Sequence, residues 1–196
     1  RASLQERFPG SNPDAILLLA AQMVAIQRSS LASRLVEAEF VATLPPGIAL
    51  PARSTGEVLR EMLSGHPREL IAFGYEITDH VALSMIHAAA RTAESISLVC
   101  DRKRASGPAI LAGWPHNLPP PFIYQDVERP DASALASMHM KTLLIDAEDL
   151  LITSANFTLH GRTENIEFGV RLRGRPAADA HALFRQFLRS GLLAQL

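Results

Sequence analysis

The sequence is poor in cysteine, in net charge and in long apolar runs, and each shortage excludes a class of protein. Its single cysteine, Cys100, can form neither an internal disulfide nor a zinc motif, which favours a reducing, cytoplasmic compartment. The formal net charge is −1 over 196 residues, so affinity for a phosphate backbone cannot come from bulk charge. The apolar stretch at residues 15–26 contains Gln22 and is too short to span a bilayer, so we expect no membrane association.

The sequence is rich in aliphatic residues. Hydrophobic residues make up 47% of the chain, charged residues 20% and aromatic residues 6%, which is enough apolar material for the core of a compact domain. Asn12-Pro13 is typical of a helix N-cap followed by the first helical position. We therefore predict a helical segment over residues 1–38, followed by one domain over residues 39–196.

Hydrophobic periodicity within residues 39–196 predicts an α/β fold, with a mixed β-sheet flanked by helices. The predicted strands are residues 39–44, 69–77, 96–101, 122–127, 137–145, 149–153 and 165–172. The predicted helices are residues 12–37, 56–64 with Thr55 as the cap, 79–92 capped by Asp79, and a last helix opened by Pro176. The strand, helix and strand at 69–101 indicate a βαβ unit with parallel strands. The proline-rich residues 102–121 are predicted to form a long loop.

Two residues on the strand predicted at 137–145 have the chemistry for phosphate transfer. His139 and Lys141 are two apart, so on a strand their side chains point to the same face. The ammonium can bind a non-bridging oxygen and offset the charge that shifts in the transition state. The imidazole can attack phosphorus and form a covalent phosphohistidine. Alone, His-x-Lys is a weak signal, because an exposed strand face gives the same pattern.

Four further polar residues follow at fixed distances: Asp146, Ser154, Asn156 and Glu167. Ser154 and Asn156 are small donors at the end of a predicted strand, where loops present groups to ligands. Glu167 begins the next strand and is a candidate partner for one ring nitrogen of His139, leaving the other nitrogen free to attack.

Together, His139-x-Lys141, Asp146, Ser154-x-Asn156 and Glu167 resemble the signature of the phospholipase D superfamily. Their spacing resembles the bacterial endonuclease branch, which carries one motif per chain. The resemblance implies a phospholipase D-like fold and a phosphodiesterase that needs neither metal nor cofactor. It implies His139 as the nucleophile, with Lys141, Ser154 and Asn156 on the phosphoryl group.

The same resemblance implies that Glu167 orients the histidine. It leaves Asp146 either in the catalytic set or as a support of its own loop through hydrogen bonds, and we favour support. Thr153 stands where the family usually has glycine, so we expect a narrower pocket or an altered loop there.

Because the family mechanism uses two histidines and this chain has one motif, the resemblance implies a homodimer with a shared active site. His160 is either a second acid within one chain or a surface histidine. Arg162 either binds a substrate phosphate or faces solvent. Residues 151–196 hold six arginines against three acidic residues, which suits either a polyanion or a solvated surface. Trp114 and Tyr124 either stack on bases or anchor the packing.

A nucleic acid, DNA before RNA, is the substrate that fits a single-motif chain without a membrane anchor. The stretches at 145–158 and 162–170 are similar to the phospholipase D-like component of DISARM, a bacterial anti-phage defence system, which implies defence-system partner proteins. Two alternatives stay open. One is a phospholipid phosphodiesterase or transferase, and the other is a non-catalytic accessory subunit that binds nucleic acid or protein.

Overall fold

The computed structural model describes residues 12–32, 36–48, 52–133 and 136–196, and the chain divides between residues 35 and 36 into two units. The first unit contains helix α1 (Pro13–Ala32). The amide of Asp14 donates to Oδ1 of Asn12, as the Asn-Pro pair predicts. None of the helices in the described ranges is long and apolar enough to cross a membrane.

The second unit is built on one mixed sheet of nine strands. The strands are β1 (Glu37–Thr43), β2 (Arg53–Ser54), β3 (Glu69–Gly74), β4 (Ser95–Cys100), β5 (Phe122–Asp126), β6 (Lys141–Ile145), β7 (Asp149–Thr153), β8 (Glu167–Arg173) and β9 (Leu193–Gln195). The helices are α2 (Thr55–Ser64), α3 (His80–Ala89), α4 (Ser106–Gly113), α5 (Leu159–Thr163) and α6 (Arg175–Arg189). β1 begins at Glu37, within the residues 1–38 that we predicted as helical.

The strand order is β2-β1-β8-β7-β6-β3-β4-β5-β9, and it confirms the predicted mixed α/β sheet. β3, β4 and β5 are parallel to one another, which confirms the βαβ unit, whereas β6, β7 and β8 form an antiparallel meander. Helices cover both faces of the sheet. One core includes residues of α2, α3 and α4, and the other lies under α6 around Phe184.

Three local predictions are wrong. The strand predicted at 137–145 begins only at Lys141, so His139 lies in the irregular segment before β6. The loop predicted at 102–121 contains α4, because Pro108 falls in the first turn of that helix, where a missing N–H costs no hydrogen bond. The cap of α2 is Ser54, whose hydroxyl accepts from Glu57 N in a capping box, instead of Thr55.

Five strand ends meet at one edge of the sheet. β3 and β4 are parallel and finish at this edge, and β6, antiparallel to β3, begins here with Lys141 opposite Gly74. β7 then ends at this edge and β8 begins at it. Gly74 allows the chain to fold back, since a Cβ there would lie 2.3 Å from Cγ1 of Ile77. The segments that follow or precede these strand ends therefore converge, and they carry the polar residues that the sequence analysis identified.

Candidate active site

His139 and Lys141 form a close pair although only Lys141 belongs to β6. Nζ of Lys141 lies 3.3 Å from each ring nitrogen of His139 and donates to its carbonyl oxygen at 3.2 Å. The Lys141 residue is only 6% exposed. Burial lowers the pKa of Lys141, and the nearby charge of Glu167 partly opposes that change. The pair thus joins a potential nucleophile to a cation that has little water around it.

Tyr75 and Arg104, which the sequence analysis missed, extend this pair into a row. The Tyr75 ring lies 4.6 Å from the His139 ring, between centroids, and its amide donates to Met140 O at 3.1 Å. Cζ of Arg104 lies 4.5 Å from the Tyr75 centroid, and its guanidinium donates to the Tyr75 hydroxyl. That hydrogen bond raises the pKa of Arg104. Tyr75 directly follows β3, so its place at the carboxyl end of a parallel strand was the signal that could have identified it.

Asp101 holds in place the irregular segment that carries His139, which we had predicted to be part of a strand. Its side chain is buried directly after β4. Oδ2 accepts from the amide of Met138 at 3.0 Å, and Oδ1 accepts from the amide of Lys103 at 2.9 Å. The irregular segment that carries His139 is therefore tied to the end of β4. Burial, with Asp101 beside it, raises the pKa of the neighbouring Cys100 thiol to about 12.

Ser154 and Glu167 are joined where β7 ends and β8 begins. The Ser154 hydroxyl donates to the Glu167 carboxylate and accepts from the amide of Phe168 at 3.2 Å. The side-chain amide of Asn165 donates to Oε1 of Glu167 at 2.9 Å. Among the contacts of the described residues, the hydrogen bonds of Glu167 reach Ser154 and Asn165, and none joins it to His139. The orienting role of Glu167 therefore stays a prediction.

Thr153, the departure from the family pattern, is accommodated by a glycine on the next strand. Thr153 pairs with Gly169 of β8, where a Cβ would lie 3.0 Å from Cβ of Thr153. Its hydroxyl accepts from the amide of Ala155 at 3.1 Å and donates to Phe168 O at 3.4 Å. The threonine side chain therefore packs between strands and shapes the turn that leads to Asn156.

The amide of Asn156 lies in that turn with an unused acceptor. Its Oδ1 is buried and has no hydrogen-bond partner within the part of the chain that the structure describes. Rotating the amide by 180° would present its two N–H donors at the same position, so the group can serve a ligand in either orientation. The turn is tightly held, because a Cβ on Gly161 would lie 2.5 Å from the backbone oxygen of Asn156.

Asp146 lies at the opposite end of β6 from Lys141. Its Oδ1 accepts from the amides of Arg68 and Glu69 at 2.9 and 2.7 Å. The carboxylate therefore ties the end of β6 to the start of β3. This contact belongs to the fold and lies away from the His139 pair.

Two other candidates, Arg162 and His160, also have partners within the fold. Nε of Arg162 donates to the carboxylate of Asp79, the residue that caps α3. His160 is exposed, and its Nδ1 lies 2.6 Å from Oε2 of Glu164. The structure thus brings together His139, Lys141, Ser154, Asn156 and Glu167 at one edge of the sheet, and it pairs Arg162 and His160 elsewhere.

Arg171, Trp114 and Tyr124 have partners within the fold. Arg171 is 4% exposed and is bound by Asp149 and Glu61. Trp114 is buried, and its indole N–H donates to Pro119 O at 3.0 Å. Tyr124 packs edge-on against Phe184 at 5.8 Å. Neither ring is placed as an exposed platform for bases. In the described ranges, no group of three or more His, Cys, Asp or Glu side chains is arranged to hold a metal ion.

The sheet order and the polar groups at its edge define a phospholipase D-like fold. Nuc from Salmonella typhimurium, a phospholipase D family member, matches with a TM-score of 0.61 at 18% identity, covering 83% of this chain and 99% of Nuc. Phosphatidylserine synthase from Haemophilus influenzae Rd KW20 matches with a TM-score of 0.60 at 11% identity, covering 83% of this chain and 40% of the synthase. These matches confirm the predicted phospholipase D-like fold.

A curated protein is similar in sequence as well. The DISARM protein DrmC from Bacillus paralicheniformis is 28% identical over 141 residues, which are 69% of this chain and 57% of DrmC. This match supports the resemblance to the DISARM component that the sequence analysis stated. The chain spans little more than half the length of that relative. No protein-family model matches the chain.

Proposed function

We propose that this chain is a metal-independent phosphodiesterase that cleaves nucleic acid through a phosphohistidine intermediate. One observation carries the proposal: Nζ of Lys141 lies 3.3 Å from both ring nitrogens of His139, at the sheet edge that also holds Ser154 and Asn156. A buried ammonium against an imidazole suits a transferring phosphoryl group, because the cation binds a non-bridging oxygen while the ring attacks phosphorus.

The reaction would run in two balanced steps. A ring nitrogen of His139 forms a bond to phosphorus, the bond to the leaving oxygen breaks, and that oxygen takes a proton from a general acid. Water then attacks the phosphohistidine, gives its proton to the same group, and the N–P bond breaks. Lys141, Ser154 and Asn156 are proposed to bind the phosphoryl oxygens, and Glu167 to orient His139. Binding of a more distant phosphate by Arg162 stays a prediction.

The general acid is proposed to be His139 of a second copy of the chain. His160 is a weaker candidate, because it is exposed and already bonded to Glu164.

A second copy of the chain has an apolar surface on which to bind. Phe40, Ile152 and Phe168 are 78%, 44% and 62% exposed. Val170 pairs with both Phe40 and Ile152, so these four residues form one apolar strip across β1, β8 and β7.

The apolar strip ends at the strand ends that carry Ser154 and Glu167. A twofold contact along it would therefore join two copies beside their active sites, as a shared mechanism requires. Exposed apolar patches of this kind on a sheet are typical of protein interfaces. The homodimer is thus proposed from the need for a second acid together with this surface.

A nucleic-acid substrate is favoured over a lipid. The match covers 99% of Nuc but only 40% of the phosphatidylserine synthase, so the lipid enzyme contains much that this chain does not match. Similarity to DrmC supports a role in anti-phage defence, with other defence proteins as partners. DNA as the preferred nucleic acid remains a prediction.

The test of the activity is cleavage of single- and double-stranded DNA and RNA in EDTA. Wild type should cleave at least one of these, and His139→Ala and Lys141→Ala should not. His160→Ala is the matched control and should keep full activity if the acid comes from the second copy. Wild-type protein quenched in alkali should retain one nucleic-acid fragment joined to His139 through its phosphorus. An absence of cleavage by wild type, or cleavage that survives in His139→Ala, would refute the mechanism.

The test of the shared site is subunit mixing. Wild-type and His139→Ala chains are unfolded together, refolded and assayed at several ratios. If both histidines of a dimer are needed, activity falls as the square of the wild-type fraction, whereas independent sites give a straight line. Phe168→Asp should produce monomers in sedimentation, and Leu183→Asp, which changes an exposed leucine outside the apolar strip, should not.

A further inference from the structure

A large cavity opens beside the row formed by Arg104, Tyr75 and His139. It has a volume of about 840 Å³ and lies between α3 and α4. This is within the size range of small-molecule sites, roughly 300–1,000 Å³. The mechanism proposed above uses no residue of its wall. The cavity is therefore free to bind a part of the substrate other than the reacting phosphate.

The wall of this cavity suits a flat heterocycle. Leu83, Ala109 and Ile110 supply apolar surface from the two helices, and Ser84 and His87 supply hydrogen-bonding groups between them. His87 is fixed from behind by Trp114, whose ring lies edge-on at 4.6 Å. Burial lowers the pKa of His87 and so favours the neutral imidazole, which offers one donor and one acceptor. Apolar faces with a few fixed polar groups are the usual design of a site for a base.

Arg104 connects the cavity to the nucleophile. It lines the cavity, its guanidinium lies 4.5 Å from the Tyr75 centroid, and the Tyr75 ring lies 4.6 Å from that of His139. Two short contacts, from His139 to Tyr75 and from Tyr75 to Arg104, thus link the attacking imidazole to a residue of the cavity wall. A nucleotide that adjoins the reacting phosphate would pass Arg104, whose cation suits its sugar-phosphate backbone.

We propose that this cavity holds the base of the nucleotide next to the scissile phosphate. The proposal rests on the proposed nuclease function and adds the kind of strand that is cut. A base can enter a slot between two helices only when it is unstacked and unpaired. The substrate is therefore single-stranded or locally opened nucleic acid. An acyl chain is a poorer occupant, because it would leave Ser84 and His87 facing apolar atoms.

The experiment fills the cavity and leaves the chemistry intact. Ala109→Trp places a large side chain in it, and Ala112→Trp is the matched control, an exposed alanine on the same helix that does not line the cavity. Both are made in the His139→Ala background and titrated with a fluorescein-labelled single-stranded 12-mer, an abasic 12-mer and a hairpin duplex. Ala109→Trp should weaken single-strand binding by about tenfold, since a bound base contributes roughly 1–3 kcal/mol. Ala112→Trp should leave it unchanged.

Turnover separates this inference from the proposed function. With wild-type His139, Ala109→Trp should still hydrolyse bis(p-nitrophenyl) phosphate, which has no base, while losing cleavage of single strands. If no variant and no wild type hydrolyses that compound, the phosphodiesterase itself is refuted, and the binding titration still decides on the cavity. Ser84→Trp, with Ala88→Trp as control, repeats the titration should Ala109→Trp misfold.

Three results would overturn the base site. The first is equal single-strand affinity of Ala109→Trp and Ala112→Trp. The second is equal wild-type affinity for the abasic and the intact 12-mer. The third is binding of phosphatidylcholine vesicles that Ala109→Trp abolishes, which would assign the cavity to a lipid.

Discussion

The ion pair between Arg162 and Asp79 allows the sharpest test of a residue whose role the sequence left open. The side chains of Asp79 and Arg162 are only 3% and 14% exposed. Replacing Arg162 with alanine leaves the Asp79 charge buried, and among the described residues the amide of Val81 at 3.1 Å is the donor that remains to its carboxylate. Removing one partner of a buried pair costs about 3–5 kcal/mol, and the remaining donor favours the lower end, about 3 kcal/mol.

That loss of free energy is easily measured. For a chain of this size, each kcal/mol shifts Tm by roughly 2–4 °C, so Arg162→Ala should lower Tm by roughly 6–12 °C. Urea unfolding followed by circular dichroism gives the free energy of unfolding directly. Adding Asp79→Asn to Arg162→Ala should recover part of the stability, because the unpaired charge is gone.

The control is an ion pair of the same type in solvent. Arg175 and Asp179 are 79% and 69% exposed at an Nε–Oδ2 distance of 3.5 Å, so Arg175→Ala should cost less than about 0.5 kcal/mol. If Arg162→Ala unfolds at the wild-type temperature yet loses affinity for nucleic acid, the structural assignment is wrong, and Arg162 acts on the substrate.

Three further predictions concern the site and its surroundings. Gly161→Ala should reduce phosphodiesterase activity at least tenfold, because its Cβ would lie 2.5 Å from the backbone oxygen of Asn156 and displace that turn. The rate of bis(p-nitrophenyl) phosphate hydrolysis should fall at alkaline pH with a midpoint below 10.5, since burial lowers the pKa of Lys141 and activity is lost as its ammonium deprotonates. Glu167→Gln should move that midpoint lower still, because the carboxylate raises this pKa. Cys100 should resist iodoacetamide at pH 8 in the native protein and react in urea, as its thiol pKa is about 12.

The first of these predictions has a matched control variant, and each of the other two has a result that would contradict it. Gly113→Ala adds the same methyl group where nothing lies within 4 Å, so it should leave activity unchanged. An alkaline midpoint that does not move in Glu167→Gln would contradict the electrostatic link between Glu167 and Lys141. Labelling of Cys100 in the native protein as fast as in urea would show that the end of β4 opens freely.

Much of the fold could be predicted because its strands and helices have clear periodic patterns. The βαβ unit from β3 to β4 followed from two predicted strands separated by one helix with Asp79 as its cap. One error fell where a tertiary contact decides the outcome, whereas the cap of α2 and the first turn of α4 depend on the local residues Ser54, Glu57 and Pro108. Residues 137–140 have strand-like composition, yet Met138 N bonds to Asp101 in place of a neighbouring strand. No property of the local sequence signals that competition.

The candidate site divides in the same way. Residues at fixed spacing within one meander, such as His139, Ser154 and Glu167, were found because β6, β7 and β8 are consecutive in sequence and in the sheet. Tyr75 and Arg104 come from the parallel half of the sheet. Tyr75 meets His139 because β3 pairs with β6, and Arg104 contacts Tyr75. Their discovery needed the strand order, which short-range patterns do not encode.

The replacement of the usual glycine by Thr153 shows why a departure from a family pattern cannot be judged at one position. From the sequence alone, we expected Thr153 to narrow the pocket or to alter the loop at this position. In the sheet, Thr153 pairs with Gly169 of β8, and the missing side chain of the glycine leaves space for the threonine. A Gly169→Ala substitution would place its Cβ 3.0 Å from Cβ of Thr153 and 2.8 Å from the backbone oxygen of Ile152, so both the threonine and its strand would have to shift. The two positions form one packing unit, so the chemistry of the Ser154–Asn156 turn depends on their sum and not on either residue.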